Sequence, residues 1–284
     1  MESLRVASVA WKIRDLRTPG EWTDHFVNLT RQARGEGADL IVFPELIDLE
    51  RLSLFPELPQ REIAPLLSQT NEPARDLMGQ MHVETGCDIV GGSLLWQDGD
   101  RVVNRCFIFS QGKMSWQDKI VMTQFELLEW GVSPGAGLSV SPSRPFGVTV
   151  CYDSEFPAAG LALAEAGIWI HCVPAFTETK RGYQRVRWSC RARTVENQIY
   201  VVHASLVGAL GREPVPSTFG NSAVFCPSVL PFPESAVLAE TQLHSEGIAV
   251  ADLSLRRVEE ARQSDDVRNW EDRRKGDWSL NIEE

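Results

Sequence analysis

Nothing in this chain is arranged as a disulfide framework or a metal site. Its six cysteines (Cys87, Cys106, Cys151, Cys172, Cys190 and Cys226) form no Cys-x-x-Cys pair and show no metal-type spacing with the five histidines. His171 and Cys172 adjoin, but neighbours on a strand point to opposite faces and make poor joint ligands. No metal and no cofactor is therefore expected. The chain also lacks an apolar run long enough to span a membrane. It lacks a basic excess: 28 Lys and Arg stand against 39 Asp and Glu, a net charge of −11. That balance excludes nucleic acid or an anionic membrane surface as the main partner. The start of the sequence has no basic stretch followed by an apolar segment. Reduced thiols in a cytoplasmic setting are the expectation. Repeats of solenoid period and low-complexity linkers are missing too.

What is present is a 43% hydrophobic composition over 284 residues, ample for one large core. Leu4 to Trp11 alternates as a strand. Trp22, Phe26, Leu29 and Ala33 recur at helical spacing, and residues 39–43 form a second buried strand. This β-α-β order predicts parallel pairing through a right-handed crossover. Residues 52–73 read as loop with a short helix, 74–85 as helix, and 87–96, 102–110 and 113–116 as strands joined by turns at Asp98-Gly99-Asp100 and Gln111-Gly112. Further strands are expected at 168–173, 199–206, 237–240 and 247–251, with helices at 181–197 and 254–262; a polar loop at 208–217, the stretch 221–226 and a proline-rich turn around Pro231 and Pro233 lie between. The mixture of crossover and hairpin signals predicts one α/β domain over 1–264 with mixed sheets covered by helices. A charged tail, 265–284, follows and carries Trp270 and Trp278 as isolated anchors.

Cys151 is the most informative residue. Val148-Thr149-Val150 reads as a short buried strand. Asp153 or Ser154 offers an N-cap, and Pro157 suits the first turn of the helix that follows. A cysteine between strand end and helix start sits on a sharp turn that holds its sulfur clear of the backbone. Two other polar residues end apolar strands: Glu45 in Val42-Phe43-Pro44-Glu45, and Lys119 after Trp116-Gln117-Asp118. Strand ends are where α/β sheets place their ligands. Together the three make a device for attack on an amide carbonyl. The thiol is the nucleophile, Glu45 takes its proton and later serves the leaving amine and the water, and Lys119 stabilises the oxyanion. No histidine is needed.

Taken in order, Phe43-Pro44-Glu45, Lys119 with Glu126, Cys151-Tyr152-Asp153 with Phe156-Pro157, and Arg191-Ala192-Arg193-Thr194-Val195-Glu196-Asn197 resemble the nitrilase superfamily of carbon–nitrogen hydrolases. The resemblance runs from the first strand to about residue 260. It implies a four-layer α-β-β-α sandwich with two mixed sheets, a Glu45–Lys119–Cys151 triad, and an auxiliary Glu126 that positions substrate or lysine. It departs from the family pattern at Ala158-Ala159, where a glutamate often follows the proline. Tyr152-Asp153, in place of Trp-Glu after the nucleophile, resembles amidases and ω-amidases rather than nitrilases proper. The implied reaction is hydrolysis of a small carboxamide to acid and ammonia through a cysteinyl thioester. The alternatives are a nitrilase or N-carbamoyl amidohydrolase on the same triad, and a silent binding protein on the same fold. Tyr152, Phe176, Tyr183 and Arg185 are the expected substrate contacts. Arg185 or Arg187 would hold a substrate carboxylate in a bidentate contact or else lie on a solvated helix face. Arg191 and Arg193 are expected to pair with buried carboxylates. Apolar tail positions (Trp270, Trp278, Leu280, Ile282), with the family's pairing through helices near the elbow, imply at least a homodimer.

Overall fold

The computed structural model describes residues 3–140 and 144–275. In chain order the elements are β1 (Ser3–Ile13), α1 (Pro19–Gly35), β2 (Leu40–Val42), α2 (Gln60–Ser68), α3 (Glu72–Thr85), β3 (Asp88–Asp98), β4 (Arg101–Ser110), β5 (Lys113–Asp118), α4 (Gln124–Leu128) and β6 (Phe146–Val148). Then come α5 (Pro157–Glu165), β7 (Ile170–Ala175), α6 (Lys180–Asn197), β8 (Tyr200–Gly208), β9 (Ala223–Phe225), β10 (Val237–Glu240), β11 (Gly247–Ser254), α7 (Leu255–Arg262) and α8 (Asn269–Asp272). Two 3-10 helices, Ile47–Leu54 and Cys151–Glu155, follow β2 and β6.

The strands make two mixed sheets joined at one corner. The first runs β11-β1-β2-β3-β4-β5, parallel across β1-β2-β3 and antiparallel elsewhere. The second runs β6-β7-β8-β9-β10, parallel across β6-β7-β8. The corner is the far end of β1, where Trp11–Ile13 pairs with Leu206–Gly208 of β8. That pairing carries β1 two residues beyond the alternating segment visible in the sequence.

Alternation along each strand builds the layers. Leu4, Val6, Leu40, Val42 and Val90 share a core with Val148, Cys172, Val202 and Val224, filling the space between the sheets. Val9, Trp11, Ile41 and Phe43 face the other way and pack on Phe26, Leu29 and Met78 of α1 and α3. Val186 and Cys190 of α6 close the far side. The order helix–sheet–sheet–helix is the expected sandwich.

Two local expectations are corrected. The elbow strand ends at Val148, and Cys151–Glu155 is a 3-10 turn with the N-cap of α5 at Phe156. Asp153 does not cap α5 because its carboxylate is taken by the N–H groups of Ile120 and Val121, at 3.0 and 2.8 Å. Arg193 pairs with Glu196, three residues on, and donates to Ser154 O; Arg191 donates to Ser235 O, so neither meets a buried carboxylate. The Trp270 ring meets the guanidinium groups of both Arg262 and Arg273, and its main-chain N–H donates to Gln198 Oε1. Trp278, Leu280 and Ile282 lie outside the described residues.

Candidate active site

Glu45 leaves the end of β2 on a turn that depends on a glycine opposite. Gly92, at φ 74°, lies so close that a Cβ there would meet Pro44 O at 2.1 Å. Next to it, Ser93 accepts the Leu46 N–H through its hydroxyl and donates its own N–H to Pro44 O. The bulge in β3 between Val90 and Ser93 thus aims Glu45 into the interior. Lys119 follows β5 directly, its N–H bonded to Asn104 O of β4. Glu126 is the third residue of a capping box. Its Oε2 accepts from the N–H and hydroxyl of Thr123, and the Thr123 hydroxyl accepts the Glu126 N–H. Cys151 stands at φ 46°, in the left-handed region that a Cβ disfavours. Such a conformation costs roughly 1–3 kcal/mol and persists only where surroundings impose it. Here Asp153 supplies much of the imposition by clipping the elbow to the segment after Lys119.

These elements bring four side chains into one hydrogen-bonded group. Lys119 Nζ lies 2.8 Å from Glu45 Oε1 and 2.6 Å from Glu126 Oε2. Asn104 Nδ2 donates to Glu45 Oε1 and to Glu126 Oε1, each at 3.0 Å. The other Glu45 oxygen accepts the Phe176 N–H at 2.9 Å, and the Cys151 thiol donates to Phe176 O at 3.4 Å. Phe176, just beyond β7, therefore holds the carboxylate with one main-chain group and the thiol with the other.

The electrostatics separate the two carboxylates. Burial pushes Glu45 up, Lys119 pulls it down, and the charge of Glu126 adds to the rise; the net is upward. Burial would also raise Glu126, but Lys119 and the bonds from Asn104 and Thr123 outweigh it, and Glu126 is lowered. Lys119 is raised, because its two carboxylates outweigh its burial. Burial and the neighbouring Glu45 push the Cys151 thiol well above its ordinary value. Burial thus favours the neutral thiol at Cys151 and strengthens Glu45 as a proton acceptor. Lys119 and Glu126 form the settled ion pair.

The group opens on a cavity of about 270 Å³. Tyr152, Phe176 and Arg185 line it together with Glu45, Lys119, Glu126 and Cys151. Arg185 Nε is already 3.3 Å from Glu155 Oε2. Tyr183 does not line it: its hydroxyl bonds to Asn221 and its ring packs on Phe219. Arg187 points away as well, to Glu240 and Asn221. Asn104, Thr123, Trp130 and Glu155 belong to the site and were not singled out from the sequence. Asn104 had a readable signal, a polar residue inside the apolar strand Val102-Val103-Asn104-Arg105-Cys106-Phe107. Among the described residues no group of three or more His, Cys, Asp or Glu is placed to hold a metal ion, and no helix is long and apolar enough to cross a membrane.

The chain is similar to several known proteins. The chain is 28% identical over 279 residues to a protein of Bacillus subtilis named probable hydrolase YhcX, covering 96% of this chain and 54% of that one; it spans only about half of that relative's length. It is 27% identical over 256 residues to the omega-amidase NIT2 of Danio rerio, covering 83% of each. The fold is similar to the crystal structure of Saccharomyces cerevisiae Nit3, a member of the nitrilase superfamily, with a TM-score of 0.77 at 22% identity over 94% of this chain and 95% of that one. A profile described as carbon–nitrogen hydrolase matches residues 5–263, nearly the whole chain, and the chain belongs to that family.

Proposed function

We propose that this chain is an amidase that hydrolyses a small carboxamide to its acid and ammonia. The observation that carries the reading is the meeting, at one cavity, of a strained cysteine, a carboxylate of raised pKa and a lysine clamped between two carboxylates. Similarity to proteins named omega-amidase supports amides over nitriles.

Cys151 attacks the carbonyl carbon as Glu45 takes the thiol proton, so no free thiolate accumulates. The carbonyl electrons move to oxygen, where Lys119 stabilises the charge; a donor of this kind in a water-poor site is worth about 3–4 kcal/mol. Glu126 stays ionised and keeps the ammonium in place. The C–N bond then breaks, Glu45 returns the proton to nitrogen, and ammonia leaves a thioester on Cys151. Water enters, Glu45 takes its proton, and collapse of the second tetrahedral intermediate releases the acid and restores the thiol. Glu45 changes protonation at each step while Lys119 and Glu126 keep theirs.

The test uses Glu45→Gln with a small amide and with an activated ester of the same acid. The variant lacks the base for the thiol as well as for water, so acylation is slowed; the ester's leaving group needs no proton and can still acylate the fraction of Cys151 that ionises at alkaline pH, while deacylation stalls. Intact-protein mass spectrometry should show one acyl group, mapping to the peptide with Cys151. Full turnover of the amide by Glu45→Gln would contradict the assignment of the base.

A further inference from the structure

Asn104 is fully buried in the middle of β4. Its amide nitrogen gives one hydrogen to Glu45 Oε1 and the other to Glu126 Oε1, both at 3.0 Å. Its main-chain carbonyl accepts the Lys119 N–H at 2.9 Å. One residue therefore holds the side chains of both carboxylates and the backbone of the lysine between them. The direction of the amide is forced. With its oxygen turned inward, three acceptors would crowd together; with nitrogen inward, both hydrogens find partners. The consequence is visible on the other side, where Asn104 Oδ1 is buried without a hydrogen-bond partner. A position serving the fold alone would do better with an apolar side chain of this shape.

The charges explain why such a residue is useful. Glu45 is faced by Lys119 from the end of β5, Glu126 from α4 and the Cys151 thiol from the elbow, with the Phe176 N–H beyond β7. Asp153 adds a further carboxylate on the elbow near Lys119. One ammonium cannot settle two carboxylates, and in a buried group the less compensated one takes up a proton. A protonated Glu45 has no capacity to accept the proton of Cys151. Asn104 supplies a donor to each carboxylate and adds no charge to compete with Lys119.

We propose that Asn104 is a positioning residue that keeps Glu45 ionised and aimed, and so sets the lower pH limit of Cys151 reactivity. The proposal rests on the reading that Glu45 takes the thiol proton. It is tested without any amide substrate, by the rate at which iodoacetamide alkylates Cys151 in the full chain. Adducts are read by intact mass and assigned by peptide mapping, from about pH 4 to about pH 9. Wild type should show a rate that climbs through a single acid limb. Asn104→Leu removes both donors and should move the midpoint of that limb upward by about one pH unit, a loss of about tenfold below both midpoints, with the rates converging above them. Asn104→Asp keeps the shape and adds a third carboxylate; its midpoint should move at least as far, and it carries the test should Asn104→Leu fail to fold. A uniform drop at every pH with the midpoint unmoved, or no change in either variant, would overturn the role of Asn104 and leave Glu45 as base. Absence of an acid limb in wild type would instead overturn the reading of Glu45, and this proposal with it.

Discussion

Two buried charge clusters flank the first sheet; both satisfy their carboxylates with donors, and they differ in what else stands beside them. In one, Glu50 Oε2 accepts from Trp11 Nε1 at 3.0 Å, and Glu50 Oε1 accepts from Arg14 N at 3.0 Å and Arg14 Nε at 2.7 Å. His25 stands between Glu50 and Glu246, with Nε2 2.7 Å from Glu246. Each Glu50 oxygen meets a donor, and the result ties together the end of β1, α1, the 3-10 helix after β2 and the turn before β11. In the other, Glu45 shares one lysine with Glu126 and faces a neutral thiol on a left-handed backbone. Only this second cluster lines a cavity with a nucleophile in it. Buried charge by itself is architecture. In the reading proposed above, a carboxylate beside a thiol on a left-handed backbone is what sets the second cluster apart.

Substitutions should separate the two. The largest effect is expected from Cys151→Ala: steady-state turnover should fall by at least about 10⁴-fold, while the stability change stays near about 1 kcal/mol or less because little volume is lost. Next, Lys119→Ala should lower kcat by roughly 10²- to 10³-fold, whereas Arg14→Ala should leave kcat unchanged and lower stability by about 1–3 kcal/mol in urea titration. Equal effects of the two on kcat would erase the distinction drawn here. Glu50→Gln sets an amide N–H₂ against donors and should lower stability by about 3 kcal/mol, with normal kcat from the protein that remains folded.

The smallest effect concerns pH. Burial alone would lower His25, but its hydrogen bond to Glu246, its 3.6 Å approach to Glu50 and the charges of both outweigh this, and its pKa is raised above 6.5. A histidine raised in the folded state contributes stability that is fully present below 6.5 and is lost as pH rises through the folded value. Unfolding titrations across that window should show wild type losing stability with rising pH relative to His25→Asn, with no matching change in kcat/KM.

The order of strands and helices was largely legible because strand alternation and the β-α-β order are local signals, whereas the four-layer sandwich was implied by the family resemblance. The strand-end positions of Glu45, Lys119 and Cys151 were legible for the same reason. What escaped was set by tertiary contacts. The extension of β1 to Ile13 depends on β8, some 190 residues away. The 3-10 turn at Cys151 depends on Asp153 reaching Ile120 and Val121 instead of capping a helix. Tyr183 lies near the cavity in sequence, yet helical rotation sends its hydroxyl to Asn221. The part of Phe176 that meets Glu45 and Cys151 is its backbone, which no side-chain pattern encodes.

The central claim is that one acyl group passes through Cys151 under the control of Glu45. The most direct measurement is partitioning: an amide and the methyl ester of the same acid, each turned over in the presence of hydroxylamine, with hydroxamate and free acid counted. A shared thioester predicts the same hydroxamate-to-acid ratio from both substrates at every hydroxylamine concentration. Ratios that differ between amide and ester, or acid formed from the amide with no hydroxamate at all, would mean that water attacks the amide directly, and the account would be contradicted.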